Sequence, residues 1–329
     1  MADLRAGLIG LGMMGRHHGR VLKSLPGVKL VAVADPAGDP HGVAGDLEVG
    51  ASVQHLIDAR VDYAMVAVPT AYHEEIGLAL AAAGIHAMIE KPLAPDVEAA
   101  QRLATAFADA GLVGAVGHIE RFNPALQSLR ARLEAGELGD VYQVITRRQG
   151  PFPARIADVG VVKDLATHDI DLTAWVARSP FAQVSAQTAF KSGRQHEDLV
   201  AIVGKLTDGT VTSHLVNWLS PMKERVTVVT GERGAFVADT LTADLTFYAN
   251  GTVETTWDAL AGFRGVAEGD MVRFAIAKPE PLRTEHETFR DAVLGKEADI
   301  VTMADGLATV RVAAAVLESA RTGTAQTLS

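Results

Sequence analysis

Leu8-Ile9-Gly10-Leu11-Gly12-Met13-Met14-Gly15-Arg16 is the stretch on which the reading of this chain turns. Its glycines fall in the spacing GxGxxG, which alone is a weak signal. Here the motif directly follows an apolar run of strand length, Leu4 to Ile9, and opens a helical pattern reaching about Ser24. It also stands 20 residues before Asp35, which closes a second apolar run, Val28 to Ala34. Strand, glycine turn, helix, strand and acid at that distance are what a dinucleotide site requires. Gly10 permits a tight turn, Gly12 lets the backbone approach a pyrophosphate, and Gly15 allows helix and strand to pack closely. The helix start at Met13 and Met14 offers amides to the anion. Asp35 is expected to accept hydrogen bonds from the adenine ribose. A 2′-phosphate beside it costs about 4 kcal/mol per charge pair at ~4 Å and an effective dielectric of ~20, before screening. Pro36, Ala37 and Gly38 supply no arginine to offset that cost, so the cofactor predicted is NAD rather than NADP.

Outward from this motif, short buried strands alternate with helices. Tyr63 to Val68, a helix from about Tyr72 to Ala83, His86 to Ile89, a helix from Asp96 to Ala110, and Leu112 to Gly117 continue the pattern. Such alternation predicts a doubly wound parallel sheet. From Phe181 onward, short alternating runs are joined by hairpin signals: Asp208-Gly209 between Leu199–Leu206 and Val211–Leu219, then Gly231 to Gly234, then Asn250-Gly251. Helices are predicted at Lys163 to Ala177, Glu285 to Leu294 and Ala304 to Ser319. The fold class expected is therefore α/β plus α+β. Residues 1–121 form the dinucleotide domain, and residues 122–329 a second domain built on a mostly antiparallel open sheet, with the C-terminal helices free to pack back on the first. An open sheet with too few helices to cover both faces points to self-association, as a homodimer or homotetramer.

Composition narrows the function. The 329 residues carry 30 Lys and Arg against 40 Asp and Glu, a net charge of −10, which opposes broad attraction to nucleic acid or anionic lipid. With no cysteine there is neither a thiol nucleophile nor a thiolate-bound metal. His17 and His18 stand about 100° apart on a helix and cannot share a ligand, so no metal is expected. Asp3 precedes the first apolar run and no small-residue cleavage site follows it, which predicts a cytoplasmic start. The longest apolar candidate, Ile76 to Ile89, is 14 residues with Gly84 and His86 inside it, too short to span a membrane.

Two further constellations carry chemistry. Glu90-Lys91-Pro92 ends a buried strand at the edge where doubly wound sheets present ligand contacts; a solvated strand-end lysine reads equally well there. Asp164, His168 and Asp171 stand at i, i+4 and i+7, one face of a helix, which marks either a working site or a capped, solvated face. Arg155 has a guanidinium fork suited to phosphate oxygens, or is a surface arginine on a loop.

Together, the glycine motif, Glu90-Lys91-Pro92, Pro69-Thr70 with His73, the Asp164 to His168 pair and Glu280-Pro281-Leu282 resemble the glucose-fructose oxidoreductase and inositol dehydrogenase family (Gfo/Idh/MocA), over nearly the whole chain. The resemblance implies an N-terminal Rossmann domain, NAD, and a site in which Lys91, Asp164 and His168 meet the nicotinamide, with a cis Lys91-Pro92 bond. It adds Pro69, Thr70, His73, Glu90 and Lys91 to the expected cofactor contacts. Gly117-His118-Ile119-Glu120-Arg121-Phe122-Asn123-Pro124 and Gly150-Pro151-Phe152-Pro153-Ala154-Arg155 look like the nucleotide-sugar 3-dehydrogenase branch. On that likeness Arg121, Asn123 and Arg155 join Lys91, Asp164 and His168 as substrate contacts. The implied reaction is hydride transfer between a secondary hydroxyl, at C3 of a UDP-N-acetylhexosamine, and nicotinamide. An inositol, polyol or free-sugar dehydrogenase, an enzyme using NAD transiently as glycosidase-like relatives do, and a non-catalytic NAD sensor are the alternatives.

Overall fold

The computed structural model describes residues 3–152, 159–251 and 268–328. They fall into two units, residues 1–119 with 279–314, and residues 120–278 with 315–329.

The first unit opens with β1 (Leu4–Ile9), α1 (Met13–Ser24), β2 (Val28–Ala34), β3 (Val49–Gly50) and α2 (Val53–Asp58). It continues through β4 (Tyr63–Val66), α3 (His73–Ala82), β5 (His86–Glu90), α4 (Val97–Asp109) and β6 (Gly114–Gly117). All six strands are parallel, in the order β3-β2-β1-β4-β5-β6. Every residue of β4 is buried, as continuous apolar runs demand when helices cover both faces of a parallel sheet. The order reverses between β1 and β4, so the glycine turn leaving β1 lies at the switch point, where such sheets bind ligands.

The second unit carries α5 (Pro124–Glu134), β7 (Val141–Pro151), a π-helical turn at Val162–Ala166 and α6 (Thr167–Ala177). These are followed by β8 (Phe181–Ala189), β9 (Leu199–Leu206), β10 (Val211–Asn217), β11 (Leu219–Gly231), β12 (Gly234–Asp239), β13 (Asp244–Asn250) and β14 (Glu268–Arg273). The chain ends with α7 (Pro281–Val293), α8 (Met303–Thr322) and β15 (Gln326–Thr327). Nine strands form one sheet, β14-β13-β12-β11-β7-β10-β9-β8-β15, antiparallel except where β10 runs parallel to β7. The Asp208-Gly209 hairpin forms as expected, with Gly209 at φ +96°. β10 stops at Asn217, two residues short of the expected end, because the Asn217 side chain accepts the amides of Leu219 and Ser220 and turns the chain.

Each unit has its own core. Leu8, Leu22, Val33, Tyr63, Met65 and Met88 pack with Phe289 of α7 in the first; Leu126, Leu129, Val144, Leu172, Trp175 and Phe236 pack in the second. Alternation in the second sheet sends Val144, Thr146 and Arg148 inward with Thr212, His214 and Val216. The opposite face carries Val228, Ile145, Ser213 and Val203 in register across four strands, and Val203, Val211 and Leu215 are exposed there.

His214 lies in the inner layer, 1% exposed, with Nδ1 2.9 Å from Thr146 Oγ1. Burial pushes its imidazole down to about 4. Between the ordinary histidine range and that value the unfolded chain binds the extra proton, so stability falls as pH drops through the window. The expected loss is about 3 kcal/mol by pH 4, and His214→Asn should remove it. Urea unfolding followed by tryptophan fluorescence checks this, because Trp175 and Trp218, among the described residues, belong to the second unit. Parallel pH dependence in variant and parent would overturn it.

Candidate active site

The glycine turn is built by close approach. Gly10 has φ +92°, and a Cβ there would stand 2.4 Å from the carbonyl oxygen of Ala67, just beyond β4. A Cβ on Gly15 would lie 1.9 Å from the Gly10 oxygen, whereas one on Gly12 would meet nothing within 4 Å. Space is therefore kept open at Gly12, on the outside of the turn. Gly12 caps α1 without any side-chain bond, leaving first-turn amides for an anion, and Met13 and Met14 are exposed beside it. Asp35 ties this turn to the end of β2: Oδ2 accepts the Leu11 amide at 2.7 Å and Oδ1 the Ala37 amide at 2.8 Å. Each carboxylate oxygen has a second lone pair for a ribose hydroxyl. These features fit a dinucleotide with its pyrophosphate at Gly12 and its ribose at Asp35.

Next along the exit edge, Pro69 is exposed and leads a short 3-10 turn, Thr70–Tyr72, into α3. His73, expected near the cofactor, is 1% exposed, with Nε2 3.0 Å from the Val68 oxygen and Nδ1 3.0 Å from the Pro92 oxygen. Its ring thus ties the loop after β4 to the loop after β5 from beneath. Burial pushes its pKa down, against the pull of both carbonyls and of Glu90.

At the end of β5, the Lys91-Pro92 bond is cis. Glu90 Oε2 accepts the Lys91 amide at 3.1 Å, and Oε1 is 2.8 Å from His18 Nε2. Burial would raise this carboxyl, but the His18 bond and the Lys91 charge outweigh it and hold it below the usual range. His18 in turn meets His286 of α7. Neither histidine was expected to matter. The available signal was position, since His18 shares the buried stripe of α1 with Gly15, Gly19 and Leu22.

In the second unit, Asp164 lies in the π-helical turn and His168 in the first turn of α6, so the regular α-helical face expected through Asp171 is interrupted. Glu197 organises the turn: its Oε1 accepts the Val162 amide at 3.0 Å, and a Cβ on Gly160 would lie 2.0 Å from that oxygen. Asp171 is turned inward and holds Arg121 in a fork, with Nε 2.8 Å and Nη2 2.6 Å from its two oxygens. Asn123 caps α5 through the Ala125 amide and donates to the Thr240 oxygen. The side-chain groups of Arg121 and Asn123, expected at substrate, are thus engaged within the fold. Arg155 lies outside the described residues.

Sequence reasoning also missed a buried charge cluster beneath this turn. Arg148 bonds Asp169 at 2.8 Å and Glu120 at 2.9 Å, and Arg225 reaches Glu120 at 3.3 Å. Burial raises both carboxyls; the arginines outweigh it at Glu120 and only partly offset it at Asp169, which stays high. Burial and the adjacent Arg148 push Arg225 down, while Asp164 is among the charges pulling it back up. Among the described residues no cluster of His, Asp and Glu has metal-binding geometry, and no helix is long and apolar enough to cross a membrane.

Residues 4–118 match the family model for the oxidoreductase family with an NAD-binding Rossmann fold, GFO_IDH_MocA, and residues 126–237 match the GFO/IDH/MocA C-terminal domain. The chain is 31% identical to UDP-N-acetylglucosamine 3-dehydrogenase of Acidithiobacillus ferrooxidans, over 97% of this chain and 96% of that one. The chain belongs to the Gfo/Idh/MocA family. It is also 29% identical to inositol 2-dehydrogenase 2 of Saccharopolyspora erythraea, over 97% and 94% of the two chains. The solved structure of the Acidithiobacillus enzyme superposes with a TM-score of 0.84, 26% identity, and 97% and 98% coverage. Like other members of the Gfo/Idh/MocA family, this chain is an NAD-binding sugar or polyol dehydrogenase acting on CH-OH.

The preference within the cofactor pair follows from Asp35. NADH should bind at least tenfold more tightly than NADPH, and Asp35→Ser should narrow that ratio, both read by nicotinamide fluorescence titration. Tighter binding of NADPH by the unaltered chain would overturn the assignment.

Proposed function

We propose that this dehydrogenase oxidises the C3 hydroxyl of a UDP-N-acetylhexosamine. The observation that carries the reading is likeness along nearly the full length to UDP-N-acetylglucosamine 3-dehydrogenase, through both units rather than the dinucleotide domain alone. NAD, when bound, accepts the hydride through its nicotinamide ring. The chain's own part is the proton and the oxygen. His168 takes the hydroxyl proton, a task for which histidine titrates in the right range. Lys91 hydrogen-bonds the same oxygen and favours its alkoxide character as the carbonyl forms. Asp164, one helical turn before His168, orients the imidazole.

The test is an absorbance screen for NADH with UDP-N-acetylglucosamine, UDP-N-acetylgalactosamine, UDP-glucose, free sugars and inositols. A response to the UDP-N-acetylhexosamines alone is expected. A response to an inositol alone, which the 29% likeness to an inositol dehydrogenase makes the second reading, would overturn the proposal.

The protein assembles, on this reading, through the open face of the second sheet, where Val203, Val211 and Leu215 are exposed. Exposed apolar side chains on two adjacent strands, β9 and β10, suit a second copy related by a two-fold axis. Light scattering should give a dimer or tetramer for the parent and a smaller species for Val203→Lys; a monomeric parent would overturn this.

A further inference from the structure

Behind Lys91 runs a buried polar chain to which hydride transfer assigns no task. His18 is fully buried on α1; its Nε2 is 2.8 Å from Glu90 Oε1, and its Nδ1 is 2.8 Å from His286 Nε2 on α7. The far oxygen of Glu90 takes the Lys91 amide at 3.1 Å. An ionised carboxylate only accepts, so His18 Nε2 carries a proton. Through its other nitrogen the same ring bonds His286, so the chain runs from α7 through α1 to Glu90. The two rings meet edge to face, 5.1 Å between centroids. Apolar side chains of similar volume would join α1, α7 and β5 at no electrostatic cost, so the presence of this chain asks for a purpose beyond packing.

We propose that His286–His18–Glu90 is a positioning device for Lys91: two imidazoles pin the Glu90 carboxylate, and the pinned carboxylate holds the Lys91 backbone at the strand exit and sets a fixed negative charge near its ammonium. The proposal rests on the reading of Lys91 as the group at the reacting oxygen. The geometry supports it on both sides. Glu90 is the residue adjacent to Lys91, its side chain 12% exposed, and a Cβ on Gly117 of β6 would stand 3.3 Å from its carboxyl carbon, so the neighbouring strand fixes where that carboxylate sits. The charged or titratable groups acting with it are His18 from α1, Lys91 itself, His73 from α3, and Glu285 and His286 from α7. Burial and the Glu90 charge push the Glu285 carboxyl well up. Burial and the neighbouring His18 push His286 well down.

The full-length protein without substrate tests this. Acetic anhydride labelling across a pH series, read by peptide mass spectrometry, gives a titration midpoint for Lys91, with the surface lysines Lys29 and Lys205 as internal references. A carboxylate beside an ammonium favours the charged form, so Glu90→Gln should lower the Lys91 midpoint by about one pH unit while the references stay put. His18→Gln and His286→Leu should move it the same way by less, and His286→Gln, which keeps a polar group opposite His18, should restore part of the shift. Circular dichroism confirms folding, and Glu90→Gln, nearly isosteric, keeps the test open should a histidine variant fail to fold. An unchanged midpoint in Glu90→Gln overturns the proposal. So does a shift in Glu90→Gln with parental midpoints in both histidine variants, which would leave the imidazoles as packing alone. Labelling requires no sugar, so a wrong substrate leaves this result intact; in the active enzyme, the basic limb of the kcat profile should move with the same midpoint.

Discussion

Replacing Lys91 with methionine should leave NADH affinity within about threefold of the parent and lower turnover about 10³-fold. Methionine keeps the length of the chain and its apolar stem but removes the only donors the lysine side chain has. The glycine turn after β1 and Asp35 after β2, the features that fit a pyrophosphate and a ribose, are untouched. The measurement is paired: nicotinamide fluorescence titration for binding and initial rates of NADH formation with the preferred sugar. If kcat falls while KM for the sugar is steady, the lost interaction belongs to the transition state. Unchanged turnover would remove Lys91 from the reacting oxygen.

Arg148→Leu should destabilise the second unit by about 3–5 kcal/mol, the usual consequence of removing one member of a buried ion cluster. The guanidinium is 3% exposed and its two partners, Glu120 and Asp169, are buried with it. Leucine fills much of the volume yet leaves two carboxylates facing each other with Arg225 as the remaining cation. Asp169, whose carboxyl burial already pushes up, would take a proton first, so the deficit should shrink as pH falls. Urea unfolding by tryptophan fluorescence reads the affected unit selectively. A loss below about 1 kcal/mol, the scale of an exposed pair, would show that the cluster is not held as a network.

What could be read from the chain alone was what short-range pattern controls. β1, α1 and β2 begin and end where the apolar runs and the glycine motif put them. Strand β9 alternates buried and exposed residues along its length, and its hairpin was equally plain. β7 was not, because Thr146 and Arg148 stand at inward positions where the pattern calls for apolar residues. Their partners, Asp169, Glu120 and His214, are 21, 28 and 68 residues away. The same holds for the site. Gly10, Gly15 and Asp35 announce themselves by spacing, whereas the place of Lys91 at the end of an apolar strand suits a solvated lysine equally well, and its expected role came from the family resemblance. His18 and His286 are joined across 268 residues, and no local periodicity marks that contact. Asp171 was grouped with Asp164 and His168 on α-helical spacing, which the π-helical turn at Val162–Ala166 breaks.

Asp35 has a dual occupation that bears on how such an enzyme evolves. Its carboxylate knits the amides of Leu11 and Ala37 together before any nucleotide arrives. Exchanging it for a small neutral residue to admit a phosphorylated ribose would therefore slacken the glycine turn, the feature that fits a pyrophosphate. A lineage changing its redox currency would have to repair that turn first, so the preference is inherited with the architecture and resists drift by single substitutions.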